Sequence, residues 1–133
     1  MINDKVCDCG SLQTYSSCCG RVYRAHENAV TAEQLMRSRY TAFTRANGNF
    51  LIATHHKTTR KPREKHEISA WAKSVQWLRL EVLHCKNGRQ EDVEGSVMFK
   101  AYFYENGGVQ VIQENSFFRK ENNCWFYVGP IQK

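Results

Sequence analysis

Residues 97–118, VMFKAYFYENGGVQVIQENSFF, decide the fold. Val97, Phe99, Ala101 and Phe103 alternate with Met98, Lys100 and Tyr102, so the four apolar residues share one face of an extended strand. The tetrapeptide ENGG at 105–108 places Asn-Gly where a two-residue hairpin needs left-handed backbone. The segment therefore predicts two antiparallel strands with one buried face. Upstream, QWLRLEV puts Leu78, Leu80 and Val82 in alternation, and downstream NCWFYVG follows a polar ENN turn. The result is a meander of four strands over about 76–129.

Ahead of the sheet the periodicity changes. TAEQ at 31–34 is a capping box in which the Thr31 hydroxyl accepts from the Gln34 amide. It predicts a helix over 31–47, with Gly48 as its stop. A short second helix falls on NFLIATH, and a third near EISAWAKSV, where Ile68, Trp71 and Val75 recur at helical spacing. Between them KTTRKPREK, 57–65, reads as a basic loop broken by Pro62. Helices followed by a strand meander imply an α+β fold: about three helices packed on a curved, mainly antiparallel four-stranded sheet.

The chain is 133 residues long with 16 aromatics, enough for one domain with its own core. No apolar run approaches the roughly 20 residues that cross a bilayer. The N-terminus lacks the apolar segment of a signal peptide, so a cytoplasmic location and reduced thiols are expected, without a membrane partner. The net charge of +6 is concentrated in residues 21–75, most densely in 57–65. Such a stretch suits a nucleic acid or ribosome partner, or is simply a solvated loop. No aromatic interrupts 57–65 to stack on bases.

Four of the six cysteines fall between residues 7 and 19, in the pattern C-x-C-x8-C-C. Cys7, Cys9, Cys18 and Cys19 offer the four soft donors of a tetrahedral zinc site, with an eight-residue loop bringing the pairs together. Neighbouring cysteines are poorly placed to bridge each other, and C-x-x-C is absent, so a redox pair is the weaker alternative. One structural zinc is the expected cofactor, its binding energy ordering a segment with little apolar periodicity. Lys5, Arg21 and Arg24 are expected to offset the thiolate charge. Cys85 and Cys124 read as packing thiols.

The stretch CDCGS…Y…CCG resembles the SEC-C motif, known from the C-terminus of the SecA translocase ATPase, where a similar pattern binds zinc. With AEQLMRSRYTAF, THHKTTR, QWLRLEV and QENSF, nearly the whole chain resembles the YchJ family, which joins SEC-C to a nuclear-transport-factor-like (SnoaL/ketosteroid-isomerase-like) domain. The resemblance implies a zinc motif over 1–22, a cone-shaped α+β domain over 23–133, and Cys7, Cys9, Cys18 and Cys19 as ligands. It departs at Asp8 and Leu12, which replace the small Pro and Gly usual in the motif, and at Lys57. The motif's use in SecA implies a protein partner through the zinc segment.

Arg39 breaks the apolar face of the first helix, flanked by Leu35 and Phe43, with Tyr40 extending the face. A guanidinium there must be paired or line a cavity. Glu114, on the same strand face as Ile112 and Phe118, is the expected partner. Three readings follow: a structural pair, a small-molecule pocket, or an enzyme site, with no catalytic constellation evident. His56, Thr59 and Arg60, in HxxTR, are further pocket residues through the family resemblance. Arg37 and Arg45 lie off the buried face and read as surface charges.

Overall fold

The computed structural model describes residues 5–131. Four helices precede a sheet: α1 (Cys19–Arg24), α2 (Ala32–Thr44), α3 (Gly48–Ala53) and α4 (Lys65–Ser74). The strands are β1 (Gln76–Asn87), β2 (Glu94–Glu105), β3 (Gly108–Glu121) and β4 (Cys124–Pro130), antiparallel in the order β1-β2-β3-β4. None of the helices among the described residues is long and apolar enough to cross a membrane.

The hairpin forms as its turn chemistry dictates. Asn106 and Gly107 take φ of 53° and 83°, and Glu105 pairs with Gly108. Asn122 and Asn123 turn β3 into β4 in the same way, at 52° and 64°. Val97, Phe99, Ala101 and Phe103 are all buried, so one face of β2 carries the core. On β1 the expectation fails at one residue. A register shift between Trp77 and Arg79 turns Leu78 outward, 45% exposed, and the inward set becomes Trp77, Leu80 and Val82.

Helix α2 starts as expected, with Thr31 Oγ1 accepting from the Gln34 amide at 3.1 Å. Gln34 reaches back one residue further than a simple box, accepting from the Val30 amide at 2.9 Å. Its end differs from expectation. Ala46, at φ 52°, supplies the left-handed residue, while Gly48 opens α3 under an Asn47 cap on the Phe50 amide. A side chain at Gly48 would run into Ser69 and Lys65 of α4, so glycine there serves helix packing.

Helix α1 is additional to the three expected and runs through residues 22 and 23. Cys7, Cys9, Cys19 and Val22 pack in the same apolar cluster as Leu35, Leu80, Val97, Phe118 and Trp125. The cysteine segment thus shares the main core, although its own sequence shows no apolar periodicity.

Candidate metal centre and cavity

The four clustered cysteines converge. The sulfurs of Cys7, Cys9, Cys18 and Cys19 all lie within 4.8 Å of one another, with Cys9 and Cys18 3.5 Å apart. A tetrahedron with metal–sulfur bonds of about 2.3 Å has edges of about 3.8 Å, so the donors stand where a tetrathiolate centre needs them. Cys7, Cys9 and Cys19 are buried, and Cys18 is partly exposed. These residues can hold a metal ion.

The local sequence builds this geometry. Val6 bridges Thr14, and the Cys7 amide donates to the Gln13 carbonyl at 2.8 Å, closing the loop that carries Cys9. Cys18 leads directly into α1, so Cys19 is fixed by helix geometry. Ser11 Oγ lies 3.1 Å from Cys18 Sγ, and the Thr41 hydroxyl donates to Cys19 Sγ at 3.3 Å. Hydrogen bonds from Cys19 and Cys9 hold the Cys7 thiol well below the ordinary range. The bond with Cys7, then that with Cys9 and burial, push Cys19 up. Four thiols this close cannot all ionise together unless a cation replaces their protons.

The supporting charges are not those expected. Arg21 and Arg24 donate to the carbonyls of Asn28 and Ser16. Arg37 and Arg45, read as surface charges, are the residues that tie α2 to the cysteine loop. Arg37 donates to the Cys9 carbonyl at 2.7 Å and to Glu33 at 2.9 Å, and Arg45 stacks over Tyr15 at 4.0 Å. Cys124 is half-buried, whereas Cys85 is exposed, 3.5 Å from Glu33, and so is not a packing thiol.

A separate cavity of 260 Å³ lies between α2, α4 and the inner sheet face. Arg39, Tyr40 and Glu114 line it together. The expected direct Arg39–Glu114 pair is not made. Arg39 Nη1 donates to the Leu51 carbonyl at 2.8 Å and to Thr54 Oγ1 at 2.7 Å. The guanidinium lies over the Tyr127 ring at 4.5 Å, and Tyr127 in turn donates to Glu114 at 2.6 Å, as Ser116 does at 2.5 Å. Tyr127 therefore sits between the two charges. Burial lowers Arg39 to about 10, which leaves it cationic at neutral pH.

His56 is elsewhere. It is 1% exposed, its Nε2 donates to Glu121 at 2.7 Å, and its Nδ1 accepts from the Thr58 amide at 3.2 Å. Thr59 donates to the Val128 carbonyl, and Arg60 to the carbonyls of His55 and Ala53. These three residues stitch the loop to β4 and to the end of α3. Thr59 also lines a groove outside the cavity, with Lys61 and His55.

The histidine of the cavity is His55. Its Nε2 lies 3.0 Å from Thr59 Oγ1. That hydroxyl spends its own proton on Val128, so His55 Nε2 carries the hydrogen and Nδ1 is bare. Burial first, then Arg39 and Arg60, lower His55 to about 4. Adjacent histidines at a helix end give no periodicity by which to choose between them. Tyr127, also missed, alternates with Trp125 on β4, a signal that puts both on one face without showing the cation above it.

Three comparisons bear on this architecture. The family model described as "YchJ, middle NTF2-like domain" matches residues 31–130. A UPF0225 protein of Vibrio cholerae is 41% identical over 122 residues, covering 92% of this chain and 80% of the relative. A UPF0225 protein of Geobacter sulfurreducens is 37% identical over 122 residues, covering 92% and 76%. Among solved structures, the solution structure of a SEC-C motif containing protein from Rhodopseudomonas palustris superposes with a TM-score of 0.84 at 31% identity, over 96% of this chain and 98% of that one. The crystal structure of a SEC-C motif containing protein from Psychrobacter arcticus gives 0.78 at 28% identity, over 99% and 84%.

Proposed function

The chain belongs to the YchJ family, and from that premise we propose that it is a structural-zinc protein whose cysteine knuckle docks a protein partner. Zinc is the ion because four thiolates satisfy it completely. Catalytic zinc would keep a position open, and this donor set leaves none.

Leu12 carries the docking reading. It stands at the tip of the metal loop, 85% exposed, with φ of 70°. A leucine in left-handed backbone costs about 1 kcal/mol, and a side chain this exposed returns little of it through burial. Val6, 58% exposed, adds a second apolar side chain to the same loop. Such residues contribute when a partner covers them. The likeness to SEC-C motif proteins, and the motif's partner-binding use in SecA, point the same way.

Zinc-loaded wild type and Leu12→Asp, immobilised side by side, test this. A protein retained by the first and lost by the second, with unchanged thermal stability of the bait, is the expected result. Identical retained sets would remove the knuckle tip from any interface.

The cavity favours a second reading, a small-molecule site. A buried cation facing a lined space of 260 Å³ is more than core packing needs. The exposed basic stretch 57–65 contributes Lys61 to the groove that adjoins this cavity.

A further inference from the structure

We propose that the cavity binds a planar, apolar carboxylate, with the carboxylate on the free edge of Arg39 and the ring among Phe43, Trp71 and Trp77. This rests on the small-molecule reading of the cavity and names the class of ligand.

Arg39 keeps unspent hydrogen-bonding capacity. A guanidinium has five N–H donors. The protein fills only Nη1, through Leu51 and Thr54, and Tyr127 covers one face of the plane. Among the described residues, Nε and Nη2 have no hydrogen-bond partner. They are not sealed off either: the one fully buried side-chain N or O without a partner among those residues is Tyr23 Oη. Arg39 lines the cavity, so its unfilled donors are the ones an entering acceptor meets. The fork of Nε and Nη2 matches the two oxygens of a carboxylate.

The charge of Arg39 is also uncompensated by contact. No carboxylate of the described chain forms an ion pair with Arg39; Glu114, the nearest acid in the cavity, is engaged by Tyr127 and Ser116. A buried cation without a contacting counter-ion is costly, and an anionic ligand supplies what the fold omits. The adjoining groove shares His55, Ile68 and Tyr127 with the cavity and carries Lys61 and Glu64, whose charges offset, so Arg39 itself supplies the attraction for an anion.

The cavity walls have a shape that suits a flat ring. Trp71 and Trp77 stand at 89° with centroids 5.5 Å apart, and Phe43 meets Trp71 at 81° and 6.5 Å. Edge-to-face walls receive a flat ring at favourable angles. A space of 260 Å³ takes roughly a dozen non-hydrogen atoms at protein packing density. That is the size of a bicyclic aromatic acid.

The test is calorimetric titration of the full zinc-loaded chain with 2-naphthoate and with its neutral counterpart 2-naphthylmethanol. The acid is expected to bind at least 10-fold more tightly than the alcohol. Arg39→Met is expected to remove that preference, leaving both probes at the affinity of the alcohol. Should Arg39→Met not fold, Ile112→Trp fills the cavity with Arg39 intact and is expected to abolish binding of both. Equal affinities in the wild type would overturn the anionic class while leaving the cavity a binding site. A preference that survives Arg39→Met, or binding that survives Ile112→Trp, would overturn the placement. Failure of both probes to bind at millimolar concentration would overturn the proposal and the small-molecule reading together.

Discussion

Arg37 Nη1 donates to the backbone carbonyl of Cys9 across 2.7 Å, joining two segments 28 residues apart in the chain. The same side chain holds Glu33 one turn earlier on α2, so the guanidinium is clamped before it reaches the loop. The metal loop is therefore aligned from outside by a helix whose opposite face builds the cavity. Arg37→Ala is expected to weaken zinc affinity about 10-fold, as loss of a group that orients a ligand does. Chelator competition measures this. An unchanged affinity would mean that the cysteines set their own geometry.

Leu12 predicts a gain. Replacing it with glycine relieves the left-handed backbone and removes an exposed apolar side chain. Leu12→Gly is expected to raise stability by at most about 0.5 kcal/mol, the roughly 1 kcal/mol of relieved left-handed backbone being largely offset by about 0.5–1 kcal/mol of unfolded-chain entropy. Urea midpoints at fixed zinc decide the matter. A loss exceeding 1 kcal/mol would show that the leucine packs against something in the free protein.

Tyr23 predicts another. Its ring packs tilted on Phe50, with centroids 4.6 Å apart, but its hydroxyl is buried without a partner. Burial pushes that hydroxyl's pKa up, as expected for a group cut off from water. Tyr23→Phe removes an unsatisfied polar atom and keeps the ring, and is expected to stabilise by about 1 kcal/mol. Destabilisation instead would reveal a bridging water.

His55 ties stability to pH. Its ordinary value of 6.5 falls to about 4 in the folded chain, chiefly by burial. Between those values the unfolded chain holds a proton that the folded chain refuses. The contribution of His55 is thus complete above pH 6.5 and is lost as pH falls towards 4. Because the ring is only half-buried, screening reduces the effect to roughly 1–2 kcal/mol. His55→Gln is expected to flatten this part of the wild-type profile. Cysteine protonation acts on both proteins and cancels in the difference. Parallel profiles would place His55 in water.

Much of this architecture is legible in the chain because its signals are local. The alternation of Val97 to Phe103, the Asn-Gly turn and the Thr31 cap each act within a few residues, and each forms where its chemistry puts it. Arg39 shows as a charge on an apolar stripe, and the cysteines as spacing. Features that depend on distant partners are not legible. The bulge at Leu78, the tie from Arg37 to Cys9 and the insertion of Tyr127 between Arg39 and Glu114 all arise from segments far apart in sequence. Helical phase puts Arg37 off the core face correctly, yet a residue off one face lies on another, and the metal loop covers that one.

On the proposed function, Cys7, Cys9, Cys18 and Cys19 hold a single zinc. A native mass spectrum of untagged protein, purified reduced and without chelator, tests it most directly. A mass increment of one zinc is expected in the wild type, and its loss in Cys18→Ser. Metal-free reduced wild type, or full zinc retention in Cys18→Ser, would contradict it.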